Sequence, residues 1–137
     1  MKNVKLFAQL LIIVSASLFA SCSPENLNDV SSPKQILSKG QWSVDYYFSG
    51  QDKTSLYNDF HFSFIGNGTV TAINGTNTIK GTWSMITDVS RNQVLKINID
   101  SQEPFLLELN DQWSVTNSST DAISMKDASG ELRLRKL

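Results

Sequence analysis

From Gly40 onward the chain alternates apolar and polar residues with a period of two, the pattern of strands that keep one face dry. Trp42, Val44, Tyr46 and Phe48 share one face, opposite Gln41, Ser43, Asp45 and Tyr47. Phe60, Phe62 and Phe64 alternate with Asp59, His61 and Ser63. The alternation continues through Val70 and Ala72, then Ile79, Gly81, Trp83 and Met85, then Leu95, Ile97 and Ile99, then Phe105, Leu107 and Leu109. Trp113 with Val115, Ile123 with Met125, and Leu132 with Leu134 complete nine candidate strands. Tyr47, Tyr57 and Leu106 are apolar or amphipathic residues that parity leaves outside or that lie at a strand start. Only the run PKQILSK, from Pro33 to Lys39, suggests a helical turn.

Turn chemistry matches this reading. Asn67-Gly68 and Asn74-Gly75 tolerate the positive φ of tight reversals. Asn110-Asp111, Asn117 to Asp121 and Asp127 to Gly130 mark further reversals, and Asp88 to Asn92 a looser loop. Short connections make successive strands antiparallel neighbours. The expected fold is all-β: an antiparallel up-and-down β-barrel, or a strongly curled meander, of 8–9 short strands. Closure would remove the exposed edges that invite aggregation.

The N-terminus is of another kind. Lys2 and Lys5 precede an apolar stretch from Leu6 to Phe19, which ends in Ala20-Ser21-Cys22. A charged start, an apolar centre and small residues before a cut are the parts of a secretory signal. The stretch is shorter than the roughly 20 residues that cross a bilayer. Phe19-Ala20-Ser21-Cys22 resembles a bacterial lipobox, with Phe19 where leucine is usual. That resemblance implies removal of 1–21 and a lipid on the Cys22 thiol. Cys22 is the sole cysteine, so no internal disulfide competes for it. The organisation expected is a signal peptide at 1–21, a lipidated cysteine and flexible tether at 22–35, and a barrel domain at 36–137. Residue Ser23 after the cysteine mildly favours the outer membrane by resemblance to known lipoproteins, with periplasmic or surface orientation left open.

Removing Lys2 and Lys5 from the 12 basic residues leaves 10 against 13 acidic, a net charge of −3. No basic cluster is present, which argues against nucleic acid as a partner and against a polybasic membrane surface.

Gly40-Gln41-Trp42 opens the first strand after the helical turn, as the Gly-x-Trp motif does in lipocalins and related barrels. The run FHFSFIGNGTVTAINGTNTIKGTWSM is similar to the lipocalin-like domain of small bacterial lipoproteins, and the resemblance covers about residues 38–137. It implies that Gly40 and Trp42 close one end of the barrel, with Arg133 or Arg135 stacked on the tryptophan. It also implies a small apolar or amphipathic ligand at the open end. Tyr46, Phe48, Phe62, Phe64, Trp83 and Trp113 are the inward aromatics that would line such a pocket or simply fill it.

Gly-Gln-Trp-Ser-Val at 40–44, Gly-Thr-Trp-Ser-Met at 81–85 and Asp-Gln-Trp-Ser-Val at 111–115 echo one another, but unequal spacing rules out a periodic repeat. Catalytic chemistry is sparse. His61 is the only histidine and falls on an outward face, while the carboxylates are scattered, so no enzymatic activity, metal or cofactor is expected. Asp45 and Asp59, the pair nearest a two-carboxylate arrangement, are both outward by parity. Asn67, Asn74 and Asn117 match a glycosylation pattern but read as turn residues. Two functional readings result. One is a membrane-anchored module holding a ligand in the barrel. The other is an interaction or inhibitor subunit of an envelope complex, using its outer face or loops.

Overall fold

The computed structural model describes residues 31–137, and Cys22, the signal and most of the tether lie outside them. Eight antiparallel strands close into an up-and-down barrel in which each strand pairs with its neighbours in sequence and β1 pairs with β8. They are β1 (Trp42–Ser49), β2 (His61–Phe64), β3 (Thr69–Asn74), β4 (Asn77–Thr87), β5 (Gln93–Ile99), β6 (Gln112–Ser118), β7 (Ala122–Lys126) and β8 (Gly130–Lys136). A short helix α1 (Pro33–Leu37) precedes β1, a 3-10 turn (Thr54–Tyr57) joins β1 to β2, and α2 (Pro104–Leu107) joins β5 to β6.

Local chemistry explains α1. Ser32 and Gln35 form a reciprocal cap: the Gln35 N–H donates to Ser32 Oγ at 3.3 Å and the Ser32 N–H donates to Gln35 Oε1 at 2.9 Å. Pro33 then occupies a first-turn position, where its missing N–H costs nothing. Ile36 and Leu37 are buried, so the helix tucks under the barrel and begins inside the stretch read as tether. Gly40 turns the chain from α1 into β1 at φ +85°, a conformation that disfavours any residue with a Cβ. Gly68 and Gly75 carry the positive φ of the β2–β3 and β3–β4 reversals, as their sequence context predicts.

The expected alternation holds for β2, β4, β5, β7 and β8, whose inner residues form one core. It fails in β1. Asp45 is an extra residue there: Val44 pairs with Leu134 and Tyr46 with Arg133, leaving Asp45 as a bulge. The slip reverses parity beyond it. Tyr47 is buried at 2% exposure and Phe48 is exposed at 38%, the opposite of the sequence expectation.

The sixth candidate strand is a helix. Pro104 sets the first turn, and the Ser101 hydroxyl accepts the Glu103 N–H at 2.9 Å. Leu106 and Leu109, three residues apart, are buried while Leu107 is exposed, so the apolar period here is helical. Leu106, expected outside, is fully buried.

Candidate functional site: the barrel interior and its two ends

Strand order puts α1, the β2–β3 turn, the β4–β5 loop, the β6–β7 turn and Leu137 at one end, called here the base. The 3-10 turn, α2, the β3–β4 hairpin and the β7–β8 turn stand at the other. A ligand would have to enter the barrel through one of these ends.

Both are latched by tryptophans. Each of the three Trp-Ser strands buries its indole and donates the ring N–H to a carbonyl of a connecting segment. Trp42 bonds Leu37 at 3.0 Å and Trp83 bonds Ile65 at 2.8 Å, both at the base. Trp113 bonds Leu109 at 3.0 Å at the far end. The echo in the sequence thus corresponds to one device used three times: a large ring fills the core while its polar edge pins a cap.

The far end is sealed by aromatics. Tyr47 meets Tyr57 edge-on at 5.3 Å and Trp113 at 6.1 Å, and Phe105 meets Tyr57 and Phe60 at 5.5 Å each. Polar groups tie these rings to α2. The Tyr57 hydroxyl donates to the Phe105 carbonyl at 2.6 Å, and the Tyr47 hydroxyl donates to the Glu108 carbonyl and carboxylate at 3.3 Å. Lys53 Nζ adds an ion pair to Glu108 at 2.8 Å. Burial in this plug, more than any neighbour, pushes the Tyr47 phenol up to about 12 and raises that of Tyr57 as well. Side chains also finish the strand edges beneath the plug. Asn110 accepts the Ile99 N–H at 2.6 Å and donates to its carbonyl at 2.9 Å, and Thr54 Oγ1 accepts the Tyr47 N–H.

Between the ends the barrel is filled. An internal void among the described residues measures about 10 Å³ and touches Phe62, Phe64, Val70, Ile97, Ile99 and Leu109. That is near the minimum for a single water and far below the roughly 300 Å³ of a small-molecule site. Larger spaces lie outside, in open depressions of about 450 and 240 Å³ on the wall of β4 and β5, sharing Thr82, Lys96 and Asn98.

Of the six aromatics expected to face inward, Phe62, Phe64, Trp83 and Trp113 do so, each at 5% exposure or less. Tyr46 and Phe48 do not, because the Asp45 bulge turns them to the outer face. Tyr47 and Tyr57 take their place. A run of three aromatics at 46–48 has no parity of its own, and the polar Asp45 before it was the only available hint of a bulge.

Trp42 is buried at the base as expected, but neither arginine packs on it. Arg133 and Arg135 point outward from β8 and bind Asp45 at 2.6 and 3.1 Å. Arg133 stacks instead over the outer ring of Tyr46, 5.7 Å from its centroid. Closure at the base comes from α1 and the Leu37 carbonyl. The Arg135 hydrogen bond, followed by the contacts of Arg133, holds the Asp45 carboxyl below the usual carboxylate range against the opposing effect of burial. His61 is exposed on β2. Among the described residues no three His, Cys, Asp or Glu side chains gather as a metal would require, and no helix is long and apolar enough to cross a membrane.

No protein-family model matches the chain, and comparison with curated proteins gives no significant match. Solved structures do resemble it. A DUF4847 family protein from Bacteroides vulgatus superposes with a TM-score of 0.55 at 17% identity, over 76% of this chain and 96% of that one. A lipocalin-like protein from Bacteroides uniformis superposes with a TM-score of 0.53 at 16% identity, over 74% of this chain and 99% of that one. At such identities the likeness speaks for the fold alone: residues 31–137 form a closed eight-stranded antiparallel barrel of lipocalin-like architecture.

Proposed function

We propose that this chain is a non-enzymatic binding module of the bacterial cell envelope, anchored through a lipid on Cys22 and sited at the outer membrane, whose contacts are made by the outer surface of the barrel. The observation that carries the second half of this reading is the filled interior, with a void of about 10 Å³ beneath an aromatic plug. Entry of a small apolar ligand at the far end would require the 3-10 turn and α2 to move aside together, breaking the Tyr57–Phe105 and Lys53–Glu108 contacts. Entry at the base would require α1 or the β2–β3 turn to release its tryptophan. The lipobox-like Phe19-Ala20-Ser21-Cys22 supports the anchor.

The plugged end is the surface favoured for a protein partner. Phe48, Leu56 and Leu107 are exposed there at 38%, 48% and 45%. Acidic residues, among them Asp52, Asp59, Glu103, Asp111 and Asp127, outnumber the basic ones around them. A partner matching this surface has an apolar patch ringed by lysine or arginine.

A photo-crosslinking residue at Leu56 or Leu107, introduced into the full chain in its own cells, tests the reading. The expected result is one discrete protein adduct, weakened when Glu103 and Asp111 are both changed to lysine. Absence of any protein adduct from either position, together with a small molecule retained by the purified chain, would overturn it.

A further inference from the structure

The base of the barrel differs in charge and in apolar exposure from the plugged end. Ile65 in the β2–β3 turn, Ile86 at the end of β4 and Val89 in the β4–β5 loop are exposed at 45%, 44% and 104%. They belong to neighbouring strand pairs, so they occupy one sector of the rim. Lys34, Lys39 and Arg91 are exposed and Lys136 half-buried at the same end.

Among the described residues the acidic side chains of the base are Asp88 and Asp121, and each is hydrogen-bonded within its own loop. Asp88 accepts the N–H groups of Ser90 and Asn92 at 2.8 Å, and Asp121 accepts the Ser119 hydroxyl at 2.7 Å. Among the described residues the base thus presents apolar side chains among four cations, which outnumber the charges of Asp88 and Asp121. Lys34 lies beside the β2–β3 turn, where it shares a depression of about 210 Å³ with Gly66, Asn67 and Gly68.

The chain also enters here. Ser31 lies with Lys39, Thr120 and Lys136 around a depression of about 110 Å³ at the base. Residues 22–30 span at most about 30 Å even when fully extended, at roughly 3.3–3.6 Å per residue. A lipid on Cys22 would thus attach the domain from the side of its base and keep that end within about 30 Å of the headgroups.

We infer that the base is a membrane-docking face, on which Ile65, Ile86 and Val89 enter the headgroup region of an anionic bilayer while Lys34, Lys39, Arg91 and Lys136 pair with its phosphates. Lys34, Lys39, Arg91 and Lys136 form no cluster in the sequence and are gathered at the base only by the fold, contrary to the expectation from the sequence. Cations gain most close to anionic lipid, and apolar side chains placed among them add burial at the interface. The acidic end is repelled from the same surface, which orients the partner-binding loops outward. This inference rests on the proposed anchor at Cys22 for its biological setting.

The test uses the mature chain, residues 22–137, coupled through the Cys22 thiol to a maleimide-headed lipid. The vesicles are phosphatidylcholine with or without phosphatidylglycerol, and the readout is hydrogen–deuterium exchange by mass spectrometry. The expected result is loss of deuterium uptake in 65–68 and 87–92 on vesicles with phosphatidylglycerol, with 50–56 unchanged. The paired substitutions Val89→Asp and Lys39→Glu, both at exposed positions, should restore free-chain uptake at the base. Equal uptake at the base with and without vesicles, or protection of 50–56 instead, would overturn the inference. Chemical coupling makes this outcome independent of acylation in the cell, which is read separately from the mass of the native N-terminal peptide. An unmodified Cys22 would remove the proposed anchor without touching the vesicle result.

Discussion

Replacing Phe62 by alanine opens the centre of the barrel. Phe62 is 2% exposed, pairs with Ala72 on β3 and borders the small internal void. An aromatic side chain of this kind buries roughly 150–250 Å². At about 25 cal/mol per Å², its loss removes about 4 kcal/mol of transfer free energy. The closed wall of β-strands has little freedom to collapse, so the cost should fall within the range of about 3–5 kcal/mol seen for such truncations. Urea denaturation followed by tryptophan fluorescence should show a lower midpoint with an unchanged slope, since the surface exposed on unfolding hardly alters. The variant should gain something the parent lacks, a dry cavity. Benzene or xenon should raise its midpoint and leave that of the parent where it was. A loss below about 1 kcal/mol, or a parent stabilised by benzene as strongly as the variant, would mean that space already exists around this ring and that the interior is not filled.

Other predictions concern the latches and the bulge. Trp113→Phe keeps most of the apolar bulk but leaves the Leu109 carbonyl without its indole donor, which should cost about 1–3 kcal/mol by chemical denaturation. Asp45→Asn should lower stability near neutral pH by no more than about 1 kcal/mol, because its guanidinium partners are largely in solvent. The Asp45 carboxyl is depressed in the folded state, so its contribution is present above its unfolded value near 3.8 and is lost as pH falls through the lower folded value; parent and variant curves should converge in acid. For Tyr47 the sign is opposite: the folded phenol is raised to about 12, so its contribution is complete below the ordinary value near 10 and is lost as pH climbs towards 12. Tyr47→Phe should flatten that alkaline loss in thermal melts. Gly81→Ala would drive a Cβ into the Asn98 carbonyl and to 2.6 Å from the Ile99 Cα, prising β4 from β5 at a cost of about 1–3 kcal/mol.

The all-β class, the order of the strands and most of their inner faces were legible because a one-sided sheet imposes a period of two on any stretch that keeps its register. Phe62-Ser63-Phe64 and Leu132-Arg133-Leu134 have no other sensible reading. A bulge leaves no mark on composition, so a single extra residue at Asp45 exchanged the places of Tyr46, Tyr47 and Phe48. In 105–109 the apolar residues Phe105, Leu106, Leu107 and Leu109 satisfy both periods, and the proline before them was the signal that favoured a helix. The arginines were legible from the start: the alternation that places Leu132 and Leu134 inside already places Arg133 and Arg135 outside, away from Trp42. The plug was not, since Tyr47, Tyr57 and Phe105 meet only after the 3-10 turn and α2 fold across the barrel mouth, contacts between segments far apart in sequence.

On the proposed reading the barrel interior is occupied by its own side chains and the chain works from its surface. Native mass spectrometry of the protein purified from its own membranes, under conditions that keep small molecules bound, tests it most directly. The expected mass is that of the chain from Cys22 with its acyl groups and no other small molecule. A reproducible non-covalent addition, released on denaturation and lost when the aromatic plug is altered by Tyr57→Ala, would contradict it.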